Sequence, residues 1–125
     1  MKPKEFSING QLKNIGYAFN GLKILFRDEH NARIHLFAAI CVVIAGFALK
    51  ISGEEWMAIT FATGFVFALE ILNTSIEKIA NFISPEKNEK IKAIKDLAAA
   101  GVLIGAITAL VIGLTIFIPK ILNLC

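Results

Sequence analysis

A chain of 125 residues that is 56% hydrophobic excludes most soluble architectures, because a small domain has too much surface for its volume to hide that much apolar area in one core. The apolar residues are bunched into long runs, so lipid is the expected solvent. The formal net charge of +3 is not read as affinity for nucleic acid, and no nucleic-acid partner is expected: basic residues in such a chain belong at the inner face of an anionic membrane. Cys41 lies inside an apolar run and Cys125 is the last residue. Neither falls in a CxxC or Cys/His zinc spacing, and free cysteine is a common apolar filler. The first thirty or so residues carry charges throughout with no uninterrupted apolar stretch, so no cleavable signal peptide is expected and the first span acts as its own signal.

The first element is too polar to span but strongly patterned. Ile8, Leu12, Ile15, Phe19, Leu22 and Phe26 recur at spacings of four and three, which makes one stripe of a helix over about 8–28. Such a helix could sit in the core of a soluble bundle; beside spanning segments, it is expected to lie in the membrane interface. Spans are expected over about 34–51, 56–80 and 97–119, each long enough to cross a ~30 Å hydrocarbon layer at about 1.5 Å per residue. The second is interrupted by Glu70, Asn73 and Glu77, and the third carries no charge at all. Ser52-Gly53-Glu54-Glu55 reads as a short turn. Ser84 to Lys90 reads as a polar loop in which Pro85 stops the preceding helix. The expected fold class is all-α and integral to a membrane, one domain with three spans and an amino-terminal surface helix.

Charge placement orients the spans. Of 13 Lys and Arg residues, six precede the first span and five lie between Lys78 and Lys95, leaving only Lys50 and Lys120 on the other side. By the positive-inside rule the amino terminus and the second loop are cytoplasmic, and the first loop and carboxyl terminus face outward.

Ionisable residues inside a membrane segment are expensive, so each one asks for a reason. At 100° per residue, Asn73 lies about 60° round the helix from Glu70, and Glu77 only about 20°. Asn81 falls on the same side, so the helix presents a polar stripe of Glu, Asn, Glu and Asn running from mid-membrane towards the cytoplasm. The stripe could act only as glue between helices. Two carboxylates on it, however, repel unless a cation or proton intervenes.

A second cluster, Asp28 to His35, precedes the first span, and Lys95-Asp96 stands at the mouth of the third. Topology brings all three clusters to the cytoplasmic interface. Carboxylates are the hard donors that Mg²⁺ takes alongside substrate phosphates, and a lysine neutralises phosphate charge as a point cation. Together they fit phosphoryl transfer, where catalysis is mostly positioning and charge neutralisation. No Walker-type loop and no strand-borne GxGxxG occurs, which excludes a conventional soluble nucleotide fold. His30 and His35 are off the i, i+4 spacing of a zinc helix. Ala98, Gly101 and Gly105 share one face of the third span, which suits a close helix approach or an oligomer.

Glu70-Ile71-Leu72-Asn73-Thr74-Ser75-Ile76-Glu77 followed by Lys95-Asp96-Leu97-Ala98-Ala99 resembles the prokaryotic diacylglycerol kinase family, which includes the undecaprenol kinases. The resemblance runs from about Gly16-Tyr17 to about Pro119. It implies a homotrimer in the bacterial cytoplasmic membrane that transfers the γ-phosphate of ATP to a lipid hydroxyl. Residue by residue, it implies Glu70 as the general base and Glu29 and Glu77 as ligands of Mg²⁺. It further implies Asn73, Lys95 and Asp96 as groups that hold the nucleotide phosphates and order the site, with Tyr17 and Glu86 lining the nucleotide pocket. Asn81 stands where relatives often carry Asp, and Asn88 where His is common; both departures fall on the nucleotide side and neither touches the implied base or metal ligands. The stretch Glu29-x-Asn31-x-Arg33-Ile34-His35 is more similar to the undecaprenol branch than to the diacylglycerol branch. The bottom-up reading agrees with this division of roles: Glu70 lies about 10 Å deeper than Glu77 along the helix, where a lipid hydroxyl would arrive. The alternative reading is a non-catalytic membrane subunit whose polar stripe only directs helix association; an ion channel would leave the Glu29 and Lys95 clusters without a role.

Overall fold

The computed structural model describes residues 6–86 and 88–124; Lys87, Cys125 and the first five residues lie outside that description. The described residues form four helices: α1 (Ile8–Asp28), α2 (His30–Ala48), α3 (Gly53–Ile83) and α4 (Glu89–Leu124). Helices α2, α3 and α4 are each long and apolar enough to cross a membrane. The fold is all-α, with no strand among the described residues.

Local chemistry sets most of the boundaries. Ser7 caps α1 by accepting the Gly10 N–H at 2.9 Å. The tetrapeptide Ser52–Glu55 is the start of α3 rather than a turn. Ser52 Oγ accepts the Glu55 N–H at 3.2 Å and Glu55 Oε1 accepts the Ser52 N–H at 2.9 Å, the reciprocal capping box of an S-x-x-E sequence. That Ser52 bond, and then Lys120, hold the Glu55 carboxyl below its usual range. Asn88 caps α4, its Oδ1 accepting the Lys90 N–H at 2.8 Å, so the last two residues of the polar stretch, Glu89 and Lys90, already belong to α4. Helix α4 also runs on through Pro119 to Leu124.

Two junctions are tight. At the end of α2, Ile51 N–H reaches the Gly46 carbonyl at 3.2 Å and Lys50 N–H the Phe47 carbonyl at 3.4 Å, a Schellman closure. It places Lys50 in the left-handed region at φ 52°. Between α1 and α2 a single extended residue, Glu29, ends one helix and begins the next. Arg33 braces that corner, donating through Nε to the Phe26 carbonyl at 2.7 Å and through its other nitrogen to the Arg27 carbonyl. A cation on the last carbonyls of a helix is favourable in both hydrogen bonding and helix-dipole terms.

Helices α3 and α4 form the main pair, with α2 against α3 and the end of α1 against both α2 and α3. The α3–α4 pair is pinned at both ends, by Glu55–Lys120 at 3.0 Å and by a Lys95–Asn81 hydrogen bond. At the Glu55 end Ile51, Ile59 and Ile116 are buried with Trp56 and Phe117 packed on them. Midway, Gly105 lets α3 approach: a Cβ there would stand 2.5 Å from Leu69 Cδ1, whereas one on Gly101 meets nothing. The Gly101–Gly105 face is therefore only half used inside the chain. Large apolar side chains such as Phe37, Phe47, Leu97 and Leu110 remain exposed, which suits helices whose outer faces meet lipid rather than water.

Helix α1 leaves its stripe open. Ile8, Leu12, Ile15 and Phe19 are all more than half exposed. Only its last turn is anchored, by buried Leu25 and by Phe26, whose ring meets that of Phe67 edge-on at 5.9 Å.

Candidate active site

The polar stripe of α3 faces inward. Glu70 is 1% exposed and Thr74, one turn on, 5% exposed; Asn73 and Glu77 are half-buried. Three side-chain atoms within five residues, Glu70 Oε1, Asn73 Oδ1 and Thr74 Oγ1, are buried without a hydrogen-bond partner. Four other hydroxyls in these helices, Thr60, Ser75, Thr108 and Thr115, turn back to the carbonyl one turn earlier. A buried polar group left unpaired costs about 1–3 kcal/mol, so a cluster of them in one place marks a candidate site for a polar ligand.

The neighbours of Glu70 are charged or polar on one side only. His35 of α2 brings Nε2 to 3.2 Å from Glu70 Oε1, close enough to interact, though not aligned as a hydrogen bond. Asn73 Nδ2 donates to Glu77 Oε1 at 3.3 Å, so its oxygen is the unpaired end. Glu77 follows two turns on along α3, and Glu29 stands at the α1–α2 corner, where α1 and α2 both pack against α3. Glu29 caps α2 through its backbone alone, so its carboxylate is not consumed by the helix. At the end of the stripe Lys95 of α4 donates to Asn81 Oδ1. The residue that departs from the expected Asp thus still holds the lysine.

Further out, Asp28 bonds Lys78 Nζ at 2.9 Å and Arg27 at 2.8 Å. The Arg27 guanidinium, then Lys78, hold its carboxyl well below the usual carboxylate range. Asp96 accepts Lys92 Nζ at 2.7 Å on an exposed face of α4, which raises Lys92 above its ordinary value. Tyr17 on α1 is 70% exposed and Glu86 is exposed beyond α3. The structure therefore gathers Glu70, Asn73 and Glu77 with Glu29 nearby and Lys95 at the rim. Tyr17, Glu86 and Asp96 make no contact with that group among the hydrogen bonds and ion pairs described. His35 and Thr74 are additions: His35 reads in sequence as one of several interfacial charges, and Thr74 as a motif letter without a role.

No three His, Cys, Asp or Glu side chains among the described residues converge to enclose a metal. The donors present still fit a hard cation. Glu77, the unpaired buried Asn73 oxygen and the uncommitted Glu29 carboxylate are oxygen ligands of the type Mg²⁺ uses, one or two carboxylates with phosphates completing the shell.

Residues 16–117 match the family described as prokaryotic diacylglycerol kinase. The chain is 39% identical over 114 residues to the undecaprenol kinase of Bacillus subtilis (strain 168), covering 91% of this chain and 93% of that relative. It is 31% identical over 114 residues to the diacylglycerol kinase of Synechocystis sp. (strain ATCC 27184 / PCC 6803 / Kazusa), covering 90% of this chain and 65% of the relative. A diacylglycerol kinase of Helicobacter pylori (strain ATCC 700392 / 26695) is 32% identical over 106 residues, covering 84% and 82%.

Proposed function

This chain belongs to the prokaryotic diacylglycerol kinase family, and we propose that it is a membrane lipid kinase that transfers the γ-phosphate of ATP to a lipid hydroxyl, with Glu70 as general base. The observation that carries the role of Glu70 is its burial beside the unpaired Asn73 and Thr74 atoms, deep in a helix long enough to span a membrane. A carboxylate in a water-poor site accepts a proton from an alcohol that reaches it and is not levelled by bulk water. The lipid oxygen then attacks the γ-phosphorus, its proton passes to Glu70, and ADP leaves with the bridging oxygen. Phosphoryl transfer asks the protein chiefly to position the two reactants and offset phosphate charge.

Glu29 and Glu77, with Asn73 beside them, would hold Mg²⁺, which supplies neutralising charge to the nucleotide phosphates when bound. Lys95 adds a fixed cation at the rim of the stripe. Asp96 steadies Lys92 at the head of α4. Tyr17 and Glu86 are assigned to the nucleotide pocket on the resemblance alone. The site end of the bundle is read as cytoplasmic, because the basic residues gather there. The exposed apolar stripe of α1 is read as lying on the membrane surface. Self-association as a homotrimer is part of the same reading, since one three-span subunit has little room to enclose ATP and a lipid together.

Undecaprenol is the substrate we place first. The relative named undecaprenol kinase shares 39% of residues over nearly its whole length, against 31% and 32% for the relatives named diacylglycerol kinase. The test is phosphate transfer from radiolabelled Mg-ATP by purified protein in mixed micelles, with undecaprenol and diacylglycerol supplied separately. Label in undecaprenol supports the reading, and label in diacylglycerol alone reassigns the substrate. Label in neither, from protein with its helices intact, favours a non-catalytic membrane subunit.

A further inference from the structure

Glu70 has few partners to hold it. A carboxylate offers about four lone-pair sites, and the side chains around this one are poor in donors. The Asn73 amide is turned to Glu77, and Thr74 Oγ1 has no partner. The one donor-capable side chain within reach from another helix, among the described residues, is His35, with Nε2 at 3.2 Å. The imidazole is itself only 27% exposed. Its other surroundings are apolar: His35 lines a cavity of about 550 Å³ between α2, α3 and α4, beside Val42, Val66, Phe67 and Leu110. It is the one ionisable residue in that lining, where Thr63 is the only other polar side chain. The imidazole thus stands at the boundary between a hydrocarbon-like cavity and the buried carboxylate.

A buried carboxylate with no donor can rotate about its side-chain torsions without losing a hydrogen bond, and a base that wanders by about 1 Å can cost about 10²-fold in rate. We propose that His35 is a positioning residue that acts through Glu70: its Nε2, 3.2 Å from Oε1, needs only a turn of the imidazole to aim an N–H at the carboxylate and fix it for the incoming hydroxyl. The role needs a donor nitrogen at that place and no proton transfer by the imidazole. It rests on Glu70 being the base.

The experiment is a steady-state kinetic comparison of the full-length protein in mixed micelles. Parent, His35→Leu, His35→Gln and Glu70→Gln are assayed with Mg-ATP and with whichever lipid the parent phosphorylates. His35→Leu is expected to lower kcat by about 10²-fold and to leave KM for Mg-ATP within about twofold. A general loss of packing would not produce that split. His35→Gln, whose amide can place an N–H near the same point, is expected to recover kcat to within about tenfold of the parent. A parental kcat in His35→Leu beside an inactive Glu70→Gln overturns the assignment of His35 alone. His35→Gln as impaired as His35→Leu also overturns it, because the imidazole would then be needed for more than its donor. A fully active Glu70→Gln instead overturns the identity of the base.

Discussion

Arg33, one turn into α2, donates its Nε to the carbonyl of Phe26 in the last turn of α1 at 2.7 Å. The bond crosses the single-residue corner at Glu29, so the guanidinium fixes the angle at which the surface helix meets the first span. Glu29 is carried at the apex of that corner, which makes Arg33 a determinant of where its carboxylate sits.

Replacing Arg33 by Met keeps the aliphatic stem but frees the Phe26 and Arg27 carbonyls. The expected result is a rise of about 3- to 10-fold in KM for Mg-ATP, equivalent to about 0.7–1.4 kcal/mol, with kcat changed less. Arg33→Lys should be nearly as impaired, because a point charge cannot span two carbonyls as a planar fork does. An unchanged KM in both variants would show that the corner is held by packing of Leu25 and Phe26 instead.

Lys95 is held by the neutral amide of Asn81, while Lys78 and Lys92 are paired with carboxylates. Asn81→Ala removes the tether and should raise KM for Mg-ATP by about 3- to 10-fold, at the scale of one ordinary, solvent-exposed hydrogen bond. Asn81→Asp preserves an acceptor and should stay within about threefold of the parent. If Asn81→Ala is silent, the lysine is placed by something other than this bond.

Asp28 makes a pH-dependent contribution whose sign can be worked out. Its carboxyl is held well below the usual range by Arg27 and then Lys78, so the folded state binds that proton less readily than the unfolded chain. The stabilisation is therefore fully present above the unfolded value of about 3.9 and is lost as pH falls from there through the folded value. The difference in stability between the parent and Asp28→Asn should be flat from about pH 6 to 9. It should shrink below about pH 4, and weaken in high salt because the pair is partly exposed. Detergent unfolding curves across that range check it; a difference that widens on acidification contradicts the pairing.

The opposite end of the bundle offers a control remote from the site. Lys50 occupies the left-handed region with φ 52°, so Lys50→Gly should stabilise the fold by about 0.5–1 kcal/mol with activity unchanged. Gly46→Ala should do the reverse by about 1–3 kcal/mol, since a Cβ there would stand 2.6 Å from the Trp56 ring. Trp56, the single tryptophan, packs on Phe47 at 4.9 Å, and its fluorescence during unfolding reads both variants.

What the sequence makes legible here follows from local physics. The four-three spacing of Ile8 to Phe26 and the long apolar runs are properties of single helices, and each of the four helices overlaps one of those patterns. The stripe of Glu70, Asn73 and Glu77 is legible for the same reason: their azimuth is set by α3 alone. Ser52–Glu55 was readable as a capping box but looks like a turn when its small and charged residues are weighed without the S-x-x-E spacing. The His35–Glu70 approach belongs to a different order of information. It depends on the rotation of α2 against α3, which neither helix encodes alone, and α2 shows His35 only as one polar residue near the start of an apolar run. The same holds for Lys95 and Asn81, fourteen residues apart on two helices. Gly101 and Gly105 look equivalent in sequence, and only the packed pair shows that Leu69 fills the space over one of them.

The central claim is that Glu70 takes the proton of the lipid hydroxyl, and the most direct measurement is single-turnover phosphate transfer from bound Mg-ATP to lipid by Glu70→Gln. The amide keeps the shape of the side chain and removes its basicity. The account predicts a drop of about 10²- to 10⁴-fold in the transfer step with Mg-ATP binding retained. Transfer at the parental rate, from Glu70→Gln that binds Mg-ATP normally, would contradict it.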